Sequence, residues 1–354
     1  MRRLLGHGVR LLLLAIGTGV LVLLVRAAGW EATRAELSRL GAGLLLYLLP
    51  SLGVQVFEAL GWWLSFGEPP RASFTRLLLV RIAGESLNNT LPSAYLGGEP
   101  FKAMLLARAG VSGMEALASV IVAKTALTVA QIVSVLLGAG LALAARAGDK
   151  NLAVLVVGSV VCSGLAAWAV WGAYVGQRQG LGKILARVIE RTGVARGWLE
   201  RRREVLDRLD AALTGFYARR KGRFWLATGA CLLGWLLEAA EVVLYAHLLG
   251  LPLSLAGALA IGLLISVAKA AGLLIPGSLG IQEGGVVVLF LAFGLSMEQA
   301  VAFSLVRRAR ELLWIGAGFG LLALLGVTPG RVAAGLAAEG AEPSRPAAEP
   351  AHGK

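Results

Sequence analysis

The sequence predicts an all-α fold: a polytopic helical membrane protein with inverted repeats, built from six full spans and two re-entrant helical hairpins, or eight spans if the hairpin arms cross. Three observations carry this expectation. Hydrophobic residues make up 57% of the 354-residue chain, mean hydropathy is +0.75, and only 16% of residues are charged. A soluble domain of this size could not hide that apolar excess in one core, so lipid must cover much of it. Uncharged runs at 125–145, 151–177, 242–268 and 312–330 are each of the order of the roughly 20 residues a spanning helix needs. The third observation is a pair of Pro/Gly-broken segments that repeat at a fixed separation. Helices fit better than a membrane barrel, whose short alternating segments the sequence lacks.

In chain order, Arg2, Arg3 and Arg10 precede the apolar run 11–25, read as a retained first span rather than a cleaved signal. A mixed-charge loop with Glu31, Arg34, Glu36 and Arg39 leads to a second span at about 40–66. From 69 to 110 the pattern changes, with the polar stretch ESLNNTLPSAYLGGEP between basic flanks. No single span would set Asn88, Asn89, Pro92, Gly97, Gly98 and Glu99 side by side in lipid, so this is read as the first re-entrant hairpin. Spans at about 112–145 and 150–177 follow, completing a first membrane repeat over 1–175.

Residues 178–223 carry thirteen basic residues against five acidic ones, so the stretch 176–223 reads as a cytoplasmic loop that attracts anionic lipid headgroups. The net charge of +13 is thereby explained by topology, without nucleic acid. The second repeat covers 224–327: a span at about 224–249, a hairpin at 253–295 around AGLLIPGSLGIQEGG, and a last span at about 297–327. The tail, 328–354, reads as disordered, and both termini as cytoplasmic.

In PSAYLGGE, Pro92 precedes Glu99 by seven residues; in PGSLGIQE, Pro276 precedes Glu283 by the same seven, an offset of 184 (276 − 92). Without gaps it pairs Gly110 with Gly294, Ser112 with Ser296, Ala116 with Ala300, and Lys124 with Arg308. The spans before the hairpins run in opposite directions, which makes the repeats inverted, the arrangement of many transporters whose broken helices meet near the midplane.

Ionisable residues at bilayer depth mark function by default, because each costs about 2.5 to 3.5 kcal/mol on insertion scales. The expected substrate pathway therefore follows the charges: Glu99 with Lys124, Glu283 with Arg308, the same-face acids Glu238 and Glu241, Glu58 within one residue of Glu241's equivalent, and Glu85 opposite Lys269 under the offset. Arg307, Arg308, Arg310 and Glu311 lie too deep to snorkel and should face the interior. Gly277, Gly280 and Gln282 complete the second tip. A structural bracing role for the ion pairs stands beside the pathway reading. GxxxG spacings at Gly280–Gly284 and Gly316–Gly320 suggest close helix packing.

No metal cluster, cofactor motif, P-loop or disulfide framework is visible: the three histidines are scattered, and Cys162 and Cys231 lie in apolar spans. No catalytic residue is assigned, and the chain is not expected to be an enzyme.

GGEPFKAMLLARAG after a Pro-containing break, and IPGSLGIQEGG followed by a span, resemble the flippase-like transmembrane family that includes the membrane domain of lysylphosphatidylglycerol synthases. PGSLGIQEGG with SLVRRARELLW more closely resembles its hopanoid-biosynthesis-associated branch. The resemblance implies lipid transport in the bacterial cell inner membrane, with a hopanoid-type or other amphiphilic lipid as substrate, and carries over to Gly98, Glu99, Pro276, Gly277, Gly280, Glu283 and Arg308. The synthases' soluble aminoacyl-transfer domain has no counterpart here, since the longest polar stretch is the basic loop. Two other readings stay open: an intramembrane lipid-modifying enzyme using Glu238, Glu241 or Glu283, and a non-transporting scaffold whose basic loop docks lipid-synthesis enzymes.

Overall fold

The computed structural model describes residues 18–19, 22–68, 72–90, 97–145, 150–192, 196–272 and 275–324. Most of the expected first span, the Pro92 tip and the tail lie outside them. Residues 22–28 are helical, followed by α1 (Trp30–Leu40), α2 (Gly43–Leu46), α3 (Leu48–Leu64), α4 (Phe74–Thr90), α5 (Glu99–Arg108), α6 (Gly113–Ala145) and α7 (Lys150–Gln179). Then come α8 (Leu181–Thr192), α9 (Arg196–Arg219), α10 (Lys221–Leu249), α11 (Leu255–Ala271), a 3-10 turn (Pro276–Ser278), α12 (Ile281–Ala292) and α13 (Met297–Leu324).

The fold is all-α and that of a multi-pass membrane protein. By length and composition, α6, α10 and residues 156–179 of α7 can cross a membrane, while α11 and α12 are shorter apolar helices. Residues 156–179 are only 11% buried, and Trp168 and Trp171 point outward, so α7 presents its side chains to lipid. The 17 residues of α4 and of α11 extend about 25 Å, short of the roughly 30 Å hydrocarbon core.

Two expected loops are helices. The mixed-charge connection is α1, and its Arg39 donates to the Leu249 carbonyl at 2.9 Å, satisfying an acceptor at the end of α10. The expected span 40–66 is broken: Gly41 has a positive φ of 47°, and only α3 continues as a regular helix. The basic loop folds into α8 and α9. Asp210 of α9 accepts the Gly182 and Lys183 N–H groups at 2.8 and 3.0 Å, filling two donors that the first turn of α8 leaves open.

A few helix boundaries recur at a spacing of 184 residues. Helices α5 and α12 end at Arg108 and Ala292, and α6 and α13 begin at Gly113 and Met297, each pair 184 apart. Gly110 (φ 88°) and Gly294 (φ 78°) terminate α5 and α12 in the left-handed region that glycine tolerates. Both ends close identically, Val111 N–H to Leu106 O at 3.1 Å and Leu295 N–H to Phe290 O at 3.0 Å. Under each closure sits its own apolar core, with Leu106, Val111 and Ala116 in one and Phe290, Leu295 and Ala300 in the other.

The cores also exchange helix ends: Leu322 of α13 packs in the first core, while Val135, Ala139 and Ala142 of α6 pack in the second. Small residues permit these crossings. A Cβ on Gly318 would lie 2.7 Å from the Ile82 carbonyl of α4, and one on Gly138 2.8 Å from Leu263 of α11. The GxxxG expectation is off register: Gly284, Gly316 and Gly320 face open space, whereas a Cβ on Gly285 would lie 2.2 Å from Ala268.

Candidate functional site

The first broken segment gathers its charges around Asn88. Helix α4 carries Arg81, Glu85, Asn88 and Asn89 at helical spacing, and α5 returns Glu99 and Lys102 to the same point. The Asn88 side-chain oxygen accepts the Gly98 N–H at 2.7 Å, and its Nδ2 donates to Glu99 at 3.0 Å and Glu85 at 3.3 Å. Gly98 is required here, since a Cβ would sit 2.0 Å from the Gly84 carbonyl. Asn89 instead bonds back to the Glu85 carbonyl at 2.9 Å. Gly97 forms the turn before α5.

Three bases meet three acids in this cluster. Lys102 Nζ reaches Glu85 at 2.5 Å and Glu99 at 3.1 Å, and Lys124 of α6 lies 3.5 Å from Glu99. Arg81 pairs with Glu58 of α3 and also donates to Gln55. Each Lys or Arg is thus matched by a carboxylate, as burial of charge demands. The pathway read from the sequence omitted Arg81, Lys102 and Gln55. The i, i+4 spacing of Arg81 to Glu85 and the i, i+3 spacing of Glu99 to Lys102 were the available signals.

At the second broken segment, Gly280 (φ 81°) starts α12, and its N–H is accepted by Glu283 at 2.6 Å, so the acid caps its own helix. Arg308 of α13 clamps this turn. Its Nε donates to Glu283 at 2.9 Å, and its Nη1 to the Gly277 carbonyl at 3.0 Å and Glu311 at 2.8 Å. Gln282 donates to Glu311 at 2.9 Å, and the Lys269 carbonyl accepts the Ser278 hydroxyl at 3.1 Å. Pro276 opens the 3-10 turn, in which Gly277 takes a positive φ of 60°.

Behind the clamp, Arg307 pairs with Glu238, and Arg310 with Glu241. Arg307 Nη1 also lies 3.9 Å from Glu241, close enough for ionic attraction without a hydrogen bond. Glu241 is fully buried and Arg307 is 1% exposed, so each charge depends on its partner. Tyr245, on the same face of α10, turns its hydroxyl to the Gln299 carbonyl at 2.8 Å. The two segments approach one another at Gly277, where a Cβ would come within 3.6 Å of the Asn89 carbonyl.

The halves differ in filling. Arg307 corresponds under the offset to Ala123 (307 − 184), and Ala123 lines a polar cavity of about 30 Å³ together with Glu58, Arg81, Glu85, Glu99 and Lys124. A cavity of that size admits one or two waters. Where the second half inserts a guanidinium, the first leaves space among six charged groups. Among the described residues, no group of His, Cys, Asp and Glu has the arrangement of a metal site.

The arrangement sets carboxylate acceptors beside Lys and Arg donors around a space that one or two waters fill. No curated protein and no solved structure matches the chain. The family model for the lysylphosphatidylglycerol synthase TM region, however, matches residues 10–331, which include both charge clusters and every described helix. The chain belongs to the lysylphosphatidylglycerol synthase TM region family.

Proposed function

We propose that this protein is a lipid transporter of the flippase-like type, moving an amphiphile's polar head along the two charge clusters while its tail stays in the bilayer. The observation that carries this reading is the charge-balanced cavity between α3, α4, α5 and α6, walled by Glu58, Arg81, Glu85, Glu99, Lys102 and Lys124. A head bearing both signs, or a phosphate with a hydroxylated group, finds donors and acceptors there once the surrounding helices part beyond the closed space of one or two waters. Arg81 and Lys102 supply the phosphate-directed donors.

On this reading the two halves are inverted repeats, and the two broken segments are re-entrant hairpins entering from opposite faces. Supporting it are the coincident helix ends 184 residues apart, the matched closures at Gly110 and Gly294, and the exchanged helix ends in the two cores. The more rigidly clamped second half serves as the frame, and the hollow first half as the carrier. The substrate is a hopanoid-type lipid, as the likeness of PGSLGIQEGG and SLVRRARELLW to the hopanoid-associated branch suggests. The protein sits in the bacterial inner membrane with both termini and the α8–α9 face in the cytoplasm.

Reconstitution in liposomes tests the reading. Glu99→Gln should slow transfer of a labelled lipid between leaflets at least as much as Glu283→Gln, because Glu99 borders the open cavity. Transfer at the wild-type rate in both variants would remove the carboxylates from the mechanism. Lipid mass spectrometry of a deletion strain separates transport from chemistry: normal lipids in the wrong membrane mean transport, and accumulated precursor means an enzyme.

A further inference from the structure

The polar cavity has a neighbour. A larger open vestibule of about 350 Å³ lies between the end of α3, the first turns of α6 and the end of α9, with Glu68, Glu115, Arg219 and Arg220 at its wall. It lies on the same side of the molecule as the basic helices α8 and α9. Helix α6 runs between the two spaces: Ala118, Ser119 and Val122 face the vestibule, whereas Val120, Ala123, Lys124 and Leu127 face the cavity.

One contact bridges the two linings. Trp62 of α3 lines the cavity, Ser119 lines the vestibule, and the indole N–H donates to the Ser119 hydroxyl at 3.1 Å. Both residues are buried, and the Ser119 hydroxyl donates to the Ala116 carbonyl at 2.7 Å. The end of α3 that carries the indole is held by Arg223, which donates to the Leu64 and Trp63 carbonyls at 3.1 and 3.2 Å. Its guanidinium lies over the Trp63 ring, 5.4 Å from the centroid.

We infer that the Trp62–Ser119 contact is a gate, and that the vestibule is the aqueous mouth through which a charged or zwitterionic head enters the cavity from the α8–α9 side. The inference rests on the transport reading for the identity of its ligand, but the gate itself is defined by access of a polar solute. A single neutral hydrogen bond is suited to such a part: it shifts an opening equilibrium severalfold, enough to favour the closed state without locking it. The vestibule's mixed charges match the cavity's, so a head passing between them meets both signs on each side. Arg223 holds the α3 backbone at Trp63 and Leu64, directly after the residue whose indole side chain swings.

The chain carries its own reporter. Cys231 lines the cavity and is buried, whereas Cys162 is exposed on α7 and is replaced by alanine for the experiment. The purified protein, reconstituted in vesicles, is treated with a small membrane-impermeant methanethiosulfonate, and Cys231 modification is followed by mass spectrometry. A cysteine at the exposed position Glu204 marks vesicles whose α8–α9 face is accessible.

Ser119→Ala, which removes the hydrogen bond and little else, and Trp62→Phe, which removes it together with part of the buried ring, should each speed Cys231 modification severalfold, and Trp62→Ala about tenfold or more. The gain should appear only in vesicles whose α8–α9 face meets the reagent. Wild-type modification rates in Ser119→Ala and Trp62→Phe, with native elution on size exclusion, would overturn the gate. Faster modification from the opposite face would overturn it too, by locating the mouth elsewhere. Should Trp62→Ala not fold, the two conservative variants decide. The labelling outcome is independent of lipid transfer: a gate that fails beside an impaired Glu99→Gln leaves transport intact, and a gate that holds beside unimpaired Glu99→Gln and Glu283→Gln refutes the carboxylate pathway alone.

Discussion

Asn88 joins the two arms of the first broken segment, its oxygen accepting the Gly98 N–H at 2.7 Å and its nitrogen donating to Glu99 at 3.0 Å. One amide thus fixes both the turn into α5 and the orientation of an acid that borders the cavity. Asn88→Ala should leave the Gly98 N–H unsatisfied and lower unfolding stability by about 1 to 3 kcal/mol, the desolvation cost of an orphaned donor. Asn88→Asp restores the acceptor but adds a third carboxylate beside Glu85 and Glu99. It also removes the two amide donors to Glu85 and Glu99, so it should fall below the wild type in stability despite keeping the Gly98 bond. Thermal unfolding in detergent checks both outcomes, and an Asp variant as stable as the wild type would refute the repulsion.

Filling the cavity should separate transport from folding. Ala123 lines the polar space without joining any of its ion pairs. Ala123→Leu places apolar bulk where the other half has Arg307, so lipid transfer should fall severalfold while the melting temperature changes little. Overpacking of a tight core would instead cost about 1 to 3 kcal/mol, and the size of that loss measures how hollow the site is. Normal transfer with Leu at 123 would mean that the head passes elsewhere.

The pairs behind the second clamp should be structural. Glu241 is fully buried against Arg310, and removing either partner strands a charge at a cost of about 3 to 5 kcal/mol. Replacing both by well-packed apolar residues, Glu241→Leu with Arg310→Met, should recover most of that loss. Chemical denaturation of the two single variants and the double variant gives the coupling. An additive double variant would show that the two charges do not depend on each other.

Sequence reasoning could see one kind of relationship and missed another. The 184-residue register singled out both Pro/Gly segments, because a break in a membrane helix requires Pro, Gly and a polar partner, and those residues stand out in apolar sequence. Pairings that the halves do not share left no such trace: Arg81 and Lys102 correspond to Ile265 and Val286 under the offset, so repetition could not flag them. The distance from Arg81 to Glu58 is set by how α3 packs on α4, a tertiary fact. Glycine packing was misjudged for the same reason. Only the rotation of a helix decides which of Gly284 and Gly285 meets a neighbour, and it is Gly285 whose added Cβ would lie 2.2 Å from Ala268. Gly285→Ala should therefore reduce folded yield strongly and Gly284→Ala hardly at all, as fluorescence size exclusion would register.

The basic helices bear on the scaffold reading. Removing the segment from Lys183 to Arg220 outright would confound charge with structure, because Tyr217 donates to Gln177 at 2.7 Å and Gln177 to Thr125 of α6 at 2.8 Å, next to Lys124. Neutralising the charges alone is cleaner. On α8, Lys183, Arg187 and Arg191 recur every four residues along one side, next to the exposed Val188 and Leu185, a combination that suits a lipid surface. Near anionic lipid each basic residue contributes about 1 kcal/mol. The triple change Lys183→Gln, Arg187→Gln, Arg191→Gln should abolish the blue shift that phosphatidylglycerol induces in a fluorophore attached through Val188→Cys, and should leave lipid transfer in neutral liposomes near wild type. If the triple variant instead keeps full transfer in liposomes but loses all function in cells, while Glu99→Gln is tolerated there, the basic face docks a partner and the scaffold reading displaces transport.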